Sequence, residues 1–240
     1  MAKNLTPVIA RSEATKQSRR LLRPCGARND ASGGVLTYLL VGLVLAAGLV
    51  GAVYFLRSRQ PQFVSSPGDA ARSKGPARAA FEIVEYSDFQ CPACQAAQAP
   101  LNEILIRHKE KVRLVFRHFP LAGHRWSGLA HQAAECAARQ NKFWGYHDAL
   151  YRDQKLWSLE GGPPLETFMR YAREETLDLD GFAGCLSNQE VSKKINQEKL
   201  TGTGLGVRST PSFFVNGKLV VGGAALKEEM EKRFAEGAVP

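Results

Sequence analysis

The chain of 240 residues can hold one large domain or a domain with appendages, and 32 Lys/Arg against 23 Asp/Glu give it a net charge of +9. Residues 1–34 contribute +5 and residues 57–78 contribute +4, while 79–240 are neutral. The basicity therefore flanks one apolar segment, which removes the main support for nucleic-acid binding.

That segment, Val35 to Leu56, is 22 residues without a charge, long enough to cross a bilayer as a helix. Arg19, Arg20, Arg23 and Arg28 precede it, and Arg57 and Arg59 follow. The heavier positive side is N-terminal, so residues 1–34 are expected as a basic, disordered cytoplasmic tail and the remainder as exported. A cleaved signal peptide is the rival reading, with Val50-Gly51-Ala52 as a tolerable cleavage site. The run continues through Tyr54-Phe55-Leu56 and exceeds a usual signal core, which favours an uncleaved anchor over 35–56. Either way the rest is exported. Residues 57–79, rich in Arg, Ser, Pro, Gly and Ala, are expected as a flexible tether. The folded domain is expected over 80–240.

The domain begins with a strand, Ala80 to Tyr86, in which Phe81, Ile83 and Glu85 share a face. Asp88-Phe89-Gln90-Cys91-Pro92-Ala93-Cys94 follows and leads into a helix, Gln95 to Ile106. A C-x-x-C pair at a strand-to-helix junction is the sequence form of a redox site. Two intervening residues in the first helical turn bring the sulfurs within disulfide reach. The first sulfur meets unpaired N–H groups and the positive dipole end, which favour a thiolate. Pro92 suits a first turn, where its missing N–H had no partner. Zinc is the competing reading. It wants about four ligands, and Cys25, Cys136 and Cys185 and the five histidines supply no second close pair. Glu85 is either a carboxylate beneath the sulfurs, able to move protons for Cys94, or a solvated strand-end residue. Pro100 is expected to kink the helix. Lys111 to Arg117 alternates as a second strand, and His118 and His124 are expected as ordinary surface histidines.

From 127 to 203 the pattern is helical. Ala130, Ala133, Ala134, Ala137 and Ala138 form a small-residue stripe, and aromatics recur at helical spacing from Phe143 to Tyr151. Cys136 and Cys185 both lie on apolar helical segments in this block. Near the end, Thr210-Pro211 before a strand is a candidate cis bond, and Asn216-Gly217 between two β-prone runs signals a hairpin. A helix from Ala225 to Glu236 closes the chain.

Together, Glu85-Tyr86-Ser87-Asp88-Phe89, Cys91-Pro92-Ala93-Cys94 and the distant Thr210-Pro211-Ser212-Phe213-Phe214-Val215-Asn216-Gly217 resemble the DsbA-like branch of the thioredoxin superfamily, exported bacterial thiol–disulfide oxidoreductases. The likeness runs from Ala79 to Ala235, taking in Pro100, Arg117-His118-Phe119-Pro120-Leu121 and Lys142-Phe143-Trp144. It implies an α/β thioredoxin-like fold with an inserted helical domain at about 127–203, here preceded by one transmembrane helix. It also implies Cys91 as the exposed nucleophile, Cys94 as the buried resolving cysteine, Pro211 as the cis-proline facing them and Thr210 as a residue lining substrate backbone. Glu85 falls on the family's buried acidic position. Ala93 departs from the best-known member, which carries a histidine there, so a milder oxidant is expected. Export would also place Cys136 and Cys185 in an oxidising compartment. A structural disulfide closing a loop of about 50 residues is expected, with two free buried thiols as the alternative.

The implied function is dithiol oxidation of unfolded exported proteins. The pair would be reset by a membrane redox partner, and the protein would sit in the bacterial inner membrane with its catalytic domain periplasmic. No cofactor, metal or nucleic acid is implied. A membrane-tethered reductase or isomerase would use the same residues, and a non-catalytic binding or chaperone module is the third reading.

Overall fold

The computed structural model describes residues 31–58 and 67–237, and they fall into two units divided after Ser58. The expectation of a disordered tail over 1–34 lies outside the described residues up to position 30, and residues 31–34 open a helix; of the expected tether over 57–79, positions 59–66 lie outside the described residues. In the first unit, helix α1 (Ala31–Ser58) contains Thr37–Phe55, 19 residues with mean hydropathy 2.2 and none of them buried. This helix is long and apolar enough to cross a membrane.

The second unit is a five-stranded sheet in the order β1-β3-β2-β4-β5, with helices packed against it. Strand β2 (Phe81–Ser87) runs parallel to β3 (Val112–His118), with Phe81 opposite Val112 and Ser87 opposite His118. Helix α2 (Pro92–Arg107) makes the crossover and carries Pro100 without ending there. Strand β4 (Ser212–Val215) lies antiparallel on the other side of β2, and β5 (Lys218–Val221) forms the edge. Asn216 and Gly217, with φ of 47° and 83°, make the two-residue turn between them. Helix α9 (Gly223–Ala235) returns onto α2. Strand β2 is covered on both faces, as a strand between a parallel and an antiparallel neighbour must be when helices lie on both sides.

Six helices run between β3 and β4. They are α3 (Ser127–Arg139), α4 (Phe143–Arg152), α5 (Gln154–Trp157), α6 (Leu165–Glu174), α7 (Leu179–Leu186) and α8 (Gln189–Gly204). The alanine stripe explains why α3 is their centre. Ala130, Ala133, Ala134, Ala137 and Ala138 are all buried, and their small side chains let α4, α7 and α8 come close. The aromatics of α4 and α6, with Trp157 and Phe182, fill the space between helices. Gly202 in α8 has a similar use: a Cβ there would stand 2.6 Å from the Tyr86 ring.

One part of the expected tether is folded. Pro67–Arg72 forms a 3-10 turn, and β1 (Ser73–Lys74) pairs antiparallel with β3. The cause is Arg72. Its guanidinium is fully buried and bonds both Glu198 oxygens, at 2.8 and 2.5 Å. A single arginine produces no periodicity, so composition alone could not reveal this anchor.

Candidate active site

Cys91 ends the loop after β2 and caps α2, with extended backbone (φ −80°, ψ 120°) and Pro92 as the first helical residue. Its carbonyl accepts from the N–H groups of Cys94 (3.1 Å) and Gln95 (3.2 Å), and its own N–H donates to the Asp88 carbonyl (3.1 Å). Cys91 and Cys94 stand here as free thiols. Cys91 was expected to be exposed, yet only 7% of its surface is; Cys94 has none. Pro92 and Ala93 form the open edge of the motif. Covering Cys91 is the loop of β4, where Thr210-Pro211 is a cis peptide and the Cys91 thiol donates to the Thr210 carbonyl at 3.6 Å.

The two sulfurs are electrostatically unequal. The Cys94 thiol donates to the Cys91 sulfur, and the Thr210 hydroxyl and the Cys94 and Ala93 N–H groups add to this, bringing Cys91 down to about 5 against the desolvation that raises it. In the free thiol the Thr210 hydroxyl has no partner among the described residues, so it is available to turn toward the thiolate. Cys94 moves the other way. Burial raises it, and so does the neighbouring Cys91 charge. Its sulfur accepts the Asp88 N–H at 3.4 Å.

Glu85 is fully buried on β2 and is linked to the pair through Gln98, whose amide also bonds the Cys94 carbonyl. Burial lifts its pKa to about 7, with hydrogen bonds from Ser87 and Gln98 and the charge of Lys74 holding it down. Gln98 Nε2 donates to one carboxylate oxygen at 3.2 Å; the other has no hydrogen bond among the described residues. Ser87, two residues along the same strand, acts on both Glu85 and Cys94, and its hydroxyl meets the Tyr151 hydroxyl at 2.9 Å. The solvated strand-end alternative is therefore excluded for Glu85.

Several residues of the site carry no sequence signal. Asp88 holds the loop: its carboxylate accepts from the Gln90 N–H (2.8 Å), Ser127 hydroxyl (2.7 Å), Leu121 N–H (2.7 Å) and His124 Nδ1 (2.8 Å). From the helical block, Gln154 donates to the carbonyls of Phe89 and Cys91, and the Tyr151 carbonyl accepts from Gln95. Only the position of Asp88 in an Asp-x-x-Cys turn hinted at such a role. His118 corrects an expectation. It is wholly buried, with Nδ1 2.7 Å from His131 Nδ1 and Nε2 3.3 Å from Glu135, and burial lowers its pKa. Its strand position at the sheet's covered end overrides the surface prior for histidine. His124 stays partly exposed.

Cys136 and Cys185 form a disulfide between α3 and α7, with Cα atoms 5.8 Å apart and a sequence separation of 49. Among the described residues, no cluster of three or more His, Cys, Asp or Glu could hold a metal ion.

A family model described as thioredoxin matches residues 69–233. A Na(+)/H(+) antiporter NhaA 3 from Salinispora tropica is 38% identical over 151 residues, which is 62% of this chain and 22% of the antiporter. The chain thus spans about a fifth of the length of that relative. The "Probable disulfide bond formation protein D" of Bacillus anthracis is 31% identical over 162 residues, 62% of this chain and 70% of the relative. Among solved structures, a thioredoxin-like oxidoreductase from Silicibacter pomeroyi DSS-3 superposes with a TM-score of 0.57 at 29% identity, covering 72% of this chain and 95% of that one. A strand-to-helix C-x-x-C faced by a cis-proline, on a sheet interrupted by a helical block, places the chain in the thioredoxin family, in its DsbA-like branch.

Proposed function

We propose that the protein is an exported, membrane-tethered dithiol oxidase that introduces disulfides into unfolded exported proteins through Cys91 and Cys94. The observation that carries this is the inequality of the two sulfurs. Stabilising the Cys91 thiolate stabilises the reduced enzyme, which makes the disulfide oxidising. A substrate thiolate attacks Cys91 of the Cys91–Cys94 disulfide. The S–S bond breaks, its electron pair goes to Cys94, and a mixed disulfide through Cys91 remains. Cys94 then takes a proton, for which Glu85, poised near neutrality, is the supporting group. A second substrate thiolate attacks the substrate sulfur of the mixed disulfide, and Cys91 leaves as a stable thiolate. The products are an oxidised substrate and a reduced enzyme.

Thr210 and Pro211 are the substrate-lining residues of this reading, since their cis peptide faces Cys91 and the Thr210 carbonyl is held, among the described residues, only by the Cys91 thiol, which gives up that bond when it ionises. Leu156 and Leu159 stand exposed close to Gln90, whose amide bonds Ser158, and offer apolar contact to an unfolded chain. A membrane redox partner would reoxidise the pair. Helix α1 supports an anchor in the bacterial inner membrane or an export signal, with the redox domain periplasmic.

The test is to trap mixed disulfides in cells with Cys94→Ala and to read the redox state of the wild-type pair. Exported, cysteine-containing proteins on the trap and an oxidised resting pair are expected. A pair found reduced in cells would reverse the direction of electron flow and leave a reductase.

A further inference from the structure

The site has a support that crosses from the helical block to the sheet. Gln154 opens α5, is 3% exposed, and places one amide nitrogen 2.7 Å from the Phe89 carbonyl and 2.9 Å from the Cys91 carbonyl. A carboxamide NH₂ has two hydrogens, so this nitrogen serves both acceptors at once. Neither carbonyl lies in a ladder: one belongs to the turn, the other to the helix cap. Helix α5 is itself held, because the buried Trp157 indole donates to the Leu150 carbonyl of α4 at 2.8 Å. Gln154 is thus presented by a fixed turn, with little rotamer freedom left.

We propose that Gln154 is a positioning residue of the redox site, holding the Phe89–Cys91 backbone so that the Ala93 and Cys94 N–H groups converge on the Cys91 sulfur. This rests on Cys91 being the attacking cysteine. Its carbonyl already receives the Cys94 and Gln95 N–H groups, so its direction fixes the first turn of α2 relative to the sulfur. Without Gln154 the buried Phe89 carbonyl loses its donor, and the turn must rotate to find another. Rotation there moves the two N–H groups off the thiolate, which is the form they stabilise. The helical block then acts on the chemistry through one side chain, with no atom of its own on the sulfur.

The test uses the full-length chain in detergent. Gln154→Met keeps the volume and removes the donor; Gln154→Glu keeps the shape and puts a non-donating carboxylate at the carbonyls. Gln95→Ala is the control, since it removes another amide bond between the two regions, to the Tyr151 carbonyl, and leaves the Cys91 carbonyl untouched. Thiolate absorbance across pH gives the Cys91 pKa, and titration against glutathione gives the potential. Gln154→Met should destabilise the thiolate about tenfold, one pKa unit, and lower the reduction potential by about 30 mV. Gln154→Glu should shift both further in the same direction, and Gln95→Ala should move neither. Gln154 variants that unfold more easily yet titrate as the wild type does would make it ordinary packing and overturn the inference. A wild-type Cys91 titrating at an ordinary thiol value of about 8.5 would overturn the functional reading itself, and this inference with it.

Discussion

The two cysteine pairs of this chain are built from the same element and do different things. Cys91 and Cys94 sit three residues apart at a helix start, one sulfur drawn toward thiolate and the other held as thiol. Cys136 and Cys185 join two helices across 49 residues, with no helix start at either sulfur. A disulfide exchanges when one of its sulfurs leaves readily, and that depends on leaving-group acidity and access. The first pair has an acidified sulfur beside a cis-proline loop. In the second pair Cys136 is buried inside the alanine-lined helix α3. What distinguishes a reactive pair from a structural one is thus the surroundings of each sulfur, more than the bond.

Deleting each pair should give the sharpest contrast. Cys91→Ala should abolish oxidation of a dithiol peptide, with the fold retained. The double variant Cys136→Ala, Cys185→Ala should keep that turnover within about twofold and lose about 2–4 kcal/mol of stability, by releasing a long loop in the unfolded chain. Denaturant unfolding and peptide oxidation measure the two effects separately. Lost turnover in the folded double variant would join the pairs functionally and break the contrast.

Polarisation also predicts a pH dependence that only the first pair shows. Cys91 titrates at about 5 in the folded protein, below the ordinary thiol value. A depressed pKa adds stability that is complete above the unfolded value and lost as pH falls through the folded one. Reduced protein should therefore gain on oxidised protein by about 2 kcal/mol between pH 5 and pH 7, with little change below pH 5. Unfolding of both redox forms at several pH values reads this directly. A flat difference would mean that Cys91 is an ordinary thiol.

Glu85 should respond in the opposite sense. Its folded pKa, about 7, lies above the ordinary carboxyl value, so its contribution is present below about pH 4 and disappears as pH rises through 7. In the oxidised protein, where Cys91 does not titrate, Glu85→Gln should add up to about 3 kcal/mol at pH 8 and almost nothing at pH 4. The same variant should slow oxidation of dithiols if Glu85 moves protons for Cys94. Equal stabilisation at both pH values would show that its burial does not govern its charge.

How far these properties could be read from the sequence depended on whether they are local. The C-x-x-C, the strand before it and the Asn216-Gly217 hairpin are each specified within a few residues, and all are where periodicity and turn chemistry put them. Thr210-Pro211 could be placed opposite the cysteines only through resemblance, because no spacing rule links residues 119 positions apart. Asp88, Tyr151 and Gln154 were missed for the same reason: each side chain works through backbone groups brought near by folding. Arg72 and His118 were misjudged because charged and titratable side chains are read as solvated unless a partner is known. Their partners, Glu198 and Glu135, are far along the chain and on other elements.

The smallest expected effect tests whether the polarised pair can be tuned further. Ala93 lies on the open edge of the motif and contributes only its N–H to Cys91. A histidine there would add a donor and, when protonated, a positive charge near the sulfur. Both favour the thiolate over the thiol, and so the reduced enzyme over the disulfide. Ala93→His should therefore lower the Cys91 pKa and raise the reduction potential together, by about 30 mV for each pKa unit. The shift should be modest, because the Cys91 thiolate is already favoured by the Cys94 thiol, the Thr210 hydroxyl and two N–H groups. It should also shrink as pH rises past about 6.5, where the histidine loses its charge and only the donor remains. Titration against glutathione at pH 6 and pH 8, with thiolate absorbance followed in parallel, measures both quantities. A potential that moves without the pKa, or a pKa that falls while the potential falls too, would show that the Cys91 thiolate does not set the oxidising strength of this site.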